Sequence, residues 1–235
     1  MTHARRFTVI DNDRPSVAMA RTGDATQPNH AGRTHDHSYS AHETICFEGD
    51  SAKSIYEIHS GSVMLYKLLP DGRRQVVEML GTGDLFGFTA DGTHDCSAET
   101  LVPSVIRTLD AGRTAESGAM QAEFNRCLIR QMEQMHEHAM LLGRKSAFER
   151  VSSYLMKLVP ERGGAKCVGP REGADDWEVV LSMTRQEIAD FLGLTIETVS
   201  RVLSEMKRRG LIRITKQDRI HIRRVCDICK QTGYH

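Results

Sequence analysis

The chain has 235 residues, 31 Lys or Arg against 31 Asp or Glu, and 40% hydrophobic residues. That is enough apolar material for more than one core, while no apolar run approaches the roughly 20 residues needed to cross a membrane, so a soluble protein is expected. The even charge balance excludes nucleic-acid binding by bulk charge alone, and the first residues lack the apolar stretch of an export signal, so the six cysteines are expected as reduced thiols in a cytoplasm.

Residues 1–43 are rich in Thr, Asp, Asn, Arg and His and poor in large apolar groups, which predicts a flexible arm. Its histidines, His30, His35, His37 and His42, read either as a solvated tail or as metal ligands; no cysteine or close carboxylate set in the arm completes a site. Over 44–118 short apolar strands alternate with turns. Ile45–Phe47, Ile55–Ile58, Val63–Tyr66 and Gln75–Leu80 are strand-like, Ser97–Leu109 supplies more, and Asp71-Gly72 marks a hairpin. Evenly spaced short strands of this kind argue for a β-roll or jelly roll.

A long helix is expected over 119–145. Leu128, Met132, Met135, Ala139 and Leu142 recur at spacings of four, three, four and three, the a/d pattern of a two-stranded seam, although a core helix within one chain would show the same stripe. Ser146 and Glu149 make a capping box that starts another helix through Val151, Tyr154, Leu155 and Leu158, which Pro160 and Gly163-Gly164 end.

Residues 146–225 hold the densest pattern. Thr184 and Glu187 form a second capping box, Ile188, Phe191 and Leu192 give one apolar face, Gly193 stops the helix, and Thr195 restarts it at once. This is the layout of a helix-turn-helix. On the second helix Ile196, Val199, Val202, Leu203 and Met206 are expected inside, leaving Glu197, Ser200 and Arg201 outside. An Arg fork matches the O6 and N7 of guanine, a Glu accepts from the N4 amine of cytosine, and a Ser hydroxyl serves either way. A carboxylate beside phosphates costs electrostatic energy without a base contact, so Glu197 points to sequence readout; the alternative is a plain i,i+4 surface pair with Arg201. Leu211–Ile214, a polar turn at Lys216-Gln217-Asp218, and Arg219–Arg223 read as a wing hairpin whose Lys216 can meet phosphate. From Trp177 to His235 there are eleven Lys or Arg against seven Asp or Glu, so the neutral whole conceals a basic end. Within the tail 226–235, Cys226 and Cys229 form a C-x-x-C pair, open to reading as half a metal site, as a redox dithiol, or as the mixed face of a short last helix.

The block TRQEIADFLGLTIETVSR resembles the recognition region of the CRP/FNR family of bacterial transcription regulators, and its E-T-V-S-R ending resembles the FNR and FixK branches. FEGD, SGSVMLY and GDLFG are similar to the cyclic-nucleotide-binding fold that forms the sensor half of the same family. The resemblance thus implies an α+β chain: an N-terminal β-roll, a long dimerisation helix and a C-terminal winged helix-turn-helix. It implies that Glu197, Ser200 and Arg201 read TTGAT in a palindrome with ATCAA, and that Arg185 and Thr195 contact phosphate. It further implies a homodimer on double-stranded DNA, and contact with RNA polymerase through the loop before Trp177. Nucleotide-binding members carry a Glu where this chain has Phe88 and an Arg where it has Cys96, so no cyclic AMP response is expected. Residues 1–45 contain no cysteine, so the iron-sulfur cluster of FNR has no ligands there. That departure points to FixK, whose members lack the cluster. No cofactor is implied, and a regulator of low-oxygen respiration, denitrification or nitrogen fixation, mainly an activator, is expected. Two other readings remain: regulation through metal or redox chemistry at the cysteines, and a metal-dependent jelly-roll enzyme, which would need His59, His94 and Glu99 to converge.

Overall fold

The structure is a computed structural model and describes residues 35–110, 118–160, 162 and 175–233. Eight strands build the N-terminal half: β1 (His35–Tyr39), β2 (Thr44–Cys46), β3 (Ser54–Ser60), β4 (Ser62–Leu68), β5 (Arg74–Gly81), β6 (Leu85–Phe86), β7 (Ser97–Thr100) and β8 (Ser104–Asp110). They form two four-stranded antiparallel sheets, ordered β1-β8-β3-β6 and β2-β7-β4-β5. Alternating residues of both sheets meet in one core, with Ile58, Phe86 and Ile106 from the first against Cys46, Val63, Leu80 and Ala98 from the second. Gly61 turns β3 into β4 at φ 98°, and a Cβ there would lie 2.1 Å from Ser104 Oγ. The Asp71-Gly72 hairpin joins β4 to β5, with Leu69 N–H donating to Arg73 O at 2.8 Å.

Helix α1 (Gly118–Arg144) follows, about 40 Å long at the usual rise. Its inner side packs on the roll, where Cys127 is buried and Gln131 Nε2 donates to Leu85 O at 2.7 Å. Helix α2 (Ala147–Lys157) starts at the Ser146–Glu149 capping box. Then come β9 (Trp177–Val180), α3 (Arg185–Leu192), α4 (Ile196–Arg208), β10 (Ile212–Lys216), β11 (Arg219–Ile222) and α5 (Val225–Cys229), which runs into a 3-10 turn at Lys230–Thr232. Tyr154, Ile188, Phe191, Leu192, Val199, Leu203 and Met206 anchor a second core that also takes in Met64, Tyr66 and Val76 of the roll. The two halves therefore share apolar contact.

Three expectations need correction at their edges. Residues 35–43, expected in the arm, form β1 and the turn after it, because β1 completes an edge of the first sheet through five pairs with β8; residues 1–34 lie outside the described ones. The segment at Trp177, expected as loop, begins β9, a third strand paired with β11. The expected tail is largely helical and packed: Val225, Ile228 and Cys229 are buried, which is the short-last-helix reading of the C-x-x-C pair. Gly163-Gly164, Cys167 and most of the loop before Trp177 fall outside the described residues.

Glu78 of β5 is a destabilising feature of the roll. Its Oε1 is buried without a hydrogen-bond partner, and burial, reinforced by Asp84 and Asp95, pushes its carboxyl up to about 7 from 4.5. A folded value above the unfolded one gives stability that is full below pH 4.5 and lost as pH rises through about 7. Glu78→Gln is expected to remove this loss and to stabilise the protein by about 2 to 3 kcal/mol at pH 8, with little effect at pH 4.5. Denaturant unfolding at the two pH values checks it; equal effects at both would contradict it.

Candidate nucleic-acid interface

Two helices and a turn present the surface. Thr184 Oγ1 accepts from Glu187 N–H at 3.2 Å, while Glu187 Oε2 accepts from Thr184 N–H at 2.6 Å, which fixes the start of α3. Gly193 ends it in the left-handed region at φ 59°, where a side chain would be strained and would crowd Leu142 at 3.2 Å. Thr195 then caps α4, its hydroxyl accepting from Thr198 N–H at 3.3 Å. Val199, Leu203 and Met206 face inward and Val202 is half-buried, but Ile196 is 36% exposed. That position was expected inside; it lies on the first turn of α4, ahead of the turn that seats Val199.

The outer side of α4 is open. Glu197, Ser200 and Arg201 are all exposed, and Ser200 and Arg201 border a shallow groove along the helix with Ser204 and Arg208. Arg201 Nη2 donates to Thr198 Oγ1 at 3.2 Å, and its charge also acts on the Glu197 carboxylate one turn earlier. The Glu197 carboxyl is held below its ordinary range by its own backbone N–H and the Thr195 hydroxyl. It stays ionised and able to accept from a base amine. Thr195 is exposed at the helix start and Lys216 is exposed at the tip of the β10–β11 wing, both free to meet phosphate. Arg185 differs. Its guanidinium is half-buried, Nη1 has no hydrogen-bond partner, and burial lowers it from the usual arginine value. It must swing outward to touch a phosphate.

The roll has no cationic nucleotide cradle at the two positions in question. Phe88 packs edge-on against Phe124 of α1, ring centroids 5.5 Å apart, in a cluster with Ile55, Leu85, Leu109 and Cys127. Cys96 neighbours Asp95, and burial together with that carboxylate pushes its thiol up to about 12. Burial likewise raises Cys46, to about 11, and Cys127. Thiols held protonated are poor nucleophiles and poor metal ligands, which weighs against redox or metal control through these three.

On α1, Leu128, Met132, Met135 and Ala139 face outward and are exposed, with Ile129 and Met140 beside them. Leu142, the last of the expected seam, is half-buried against the second core. His59, His94 and Glu99 do not converge among the described residues. Glu99 instead meets His42 and Glu187 at the joint between roll and reader, where Arg74 also bonds Asp190 of α3 at 2.8 Å. Local sequence patterns gave no sign of this joint, because its partners come from separate stretches of the chain, Arg74 and Asp190 being 116 residues apart.

Residues 149–227 match the Crp-like helix-turn-helix domain family, and residues 36–116 match the cyclic nucleotide-binding domain family. The chain is 40% identical to the nitrogen fixation regulation protein FixK of Bradyrhizobium diazoefficiens, over 75% of this chain and 73% of that protein. It is 36% identical to the transcriptional activatory protein AadR of Rhodopseudomonas palustris, over 74% of this chain and 72% of the relative. Among solved structures it is similar to FixK2 from Bradyrhizobium japonicum, with a TM-score of 0.73 and 28% identity, covering 86% of this chain and 99% of that one. No helix among the described residues is long and apolar enough to cross a membrane.

Proposed function

Because this chain belongs to the CRP/FNR family of DNA-binding transcription regulators and is FixK-like, we propose that it works as a homodimer on a TTGAT–ATCAA palindrome, mainly as an activator. The observation that carries this is the outer side of α4, where Glu197, Ser200 and Arg201 stand exposed together. In this reading Arg201 takes a guanine, Glu197 a cytosine amine, and Ser200 the intervening step. Thr195, Lys216 and, once swung out, Arg185 hold the backbone and set register without reading sequence. The exposed stripe Leu128, Met132, Met135 and Ala139 pairs with its copy, with Leu142 at the edge, so that two readers meet two half-sites.

The functional units on this reading are a roll over 35–110, the pairing helix α1, and a reader running through 233. Names of the relatives support nitrogen fixation as the controlled process and an activating role; contact with RNA polymerase and control of low-oxygen metabolism are further parts of the proposal. Phe88 and Cys96 support a protein that acts without cyclic AMP, since a buried cyclic phosphate would find no cation at either position. Air-purified protein with no added ligand is expected to retard a duplex bearing the palindrome, and cyclic AMP to leave the retardation unchanged. A requirement for the nucleotide would overturn the proposal.

A further inference from the structure

We propose that His42, Glu99 and Glu187 form a binding site for one zinc-class divalent cation at the joint between the roll and the DNA reader. The site is built from three separate elements. His42 sits in the β1–β2 turn at φ 59°, the one non-glycine residue with positive φ among those described, and its N–H donates to Thr100 O at 2.8 Å. Glu99 lies on β7, which pairs with β2. Glu187 is the third residue of α3 and only 3% exposed; its Oε2 is used by the helix cap, leaving Oε1 to face His42.

The spacing suits an ion. His42 Nδ1 lies 3.1 Å from Glu187 Oε1 and 3.7 Å from Glu99 Oε1, and all three donors fall within 4.8 Å of one another. Ligands of a tetrahedral ion with bonds of about 2.0 to 2.1 Å stand about 3.3 Å apart, so small side-chain shifts are enough to bind it. One imidazole with two carboxylates is a donor set that zinc accepts, and exposed His42 leaves the fourth position to water.

The surroundings favour a cation. Arg74 faces Glu99 and Asp190, and the half-buried Arg185 stands with Glu187 beside Tyr154, so the three carboxylates exceed the two guanidinium groups by one formal charge. Arg74 bonds Asp190 at 2.8 Å, approaches the other oxygen of Glu99 at 3.6 Å, and stacks over Tyr66. Its charge lies on the Oε2 side of Glu99, without a hydrogen bond, while Oε1 is the oxygen nearer His42. The partial positive charge at the start of α3, about half a unit, opposes a cation but is weaker than one formal charge.

A bound ion ties two ligands of the roll to the first turn of α3, the helix that carries α4. It therefore fixes the reader against the roll and helps to set the distance between the two recognition helices of a dimer. This last consequence rests on the DNA-binding reading; the site itself does not.

The test uses the full chain stripped of metal with a chelator and titrated with Zn²⁺ by calorimetry and thermal unfolding, without DNA. One ion per protomer and a rise in Tm are expected. His42→Ala and Glu99→Gln are each expected to weaken binding by about a hundredfold, by analogy with the losses seen when metal-site partners are removed, while Cys226→Ser with Cys229→Ser leaves it unchanged. Co²⁺ should give a spectrum without thiolate charge-transfer bands. No Zn²⁺ binding, equal binding by His42→Ala and Glu99→Gln, or loss in the cysteine variant would overturn the site. Zn²⁺ binding by a protein that fails to bind the palindrome would overturn only the DNA-binding reading.

Discussion

Replacing Met132 and Met135 together by Glu is expected to leave a folded monomer that binds the palindrome at least a hundredfold more weakly. Both side chains are about half exposed, 50% and 57%, on the outer side of α1, and they sit one helical turn apart in the stripe that begins at Leu128. About half of each side chain is left open by the described residues. Against a copy of α1 each would lose its water, and apolar area buried this way is worth about 25 cal/mol per Å². Four carboxylates placed in that seam would instead face one another in a poorly hydrated interface, where unpaired charge costs several kcal/mol. The fold is spared because the inner side of α1, with Cys127, His138 and Leu141, is untouched. Affinity falls because a dimer engages its second half-site as an intramolecular event, a gain of about 10²- to 10⁴-fold that a monomer forfeits. Sedimentation, circular dichroism and DNA titration on one sample give all three readouts. A variant that stays dimeric, or a monomer that binds undiminished, would contradict the pairing.

Arg201→Ala is expected to cost about 1 to 3 kcal/mol on the matched site and to erase discrimination at the guanine of each half-site. The side chain is exposed, spans only to Thr198 Oγ1 and supports no core residue, so the loss belongs to the DNA contact and not to folding. Lys216→Ala makes the contrast. At the wing tip it has only phosphate to meet, so its removal is expected to weaken matched and random duplexes alike and to lower the salt dependence by about one ion. Titrations on the palindrome, on a guanine-swapped palindrome and on random DNA separate the two. Equal losses for both variants on all three duplexes would place Arg201 on the backbone.

Much of this arrangement was legible in the chain because it is written in local chemistry. The capping boxes at Ser146 and Thr184, the Gly193 stop and the Thr195 restart each depend on residues within four positions, and all four are present. The Asp71-Gly72 hairpin is likewise local. The outward trio followed from helical period alone. Ile196 broke the same rule because the first turn of α4 overhangs the core.

What escaped depended on distant partners. His35–Tyr39 has the composition of an arm and becomes a strand only because β8 offers it an edge, and Trp177–Val180 does so because β11 does. Arg185 was expected on phosphate as a helix-start cation, yet its guanidinium is half-buried beside Tyr154. The joint of His42, Arg74, Glu99, Glu187 and Asp190 has no signature at any spacing, since four chain segments supply it. Phe88 and Cys96, at the positions where the resemblance expects Glu and Arg, were visible in the sequence; the packing of Phe88 on Phe124 of α1 was not.

The central claim is sequence-specific reading by a symmetric dimer, and selection of binding sites from fully randomised duplexes by the ligand-free full chain tests it most directly. The expected result is a two-fold motif with TTGAT and ATCAA half-sites whose guanine preference disappears with Arg201→Ala. Enrichment of a motif without two-fold symmetry, a half-site indifferent to Arg201, or no enrichment would contradict it.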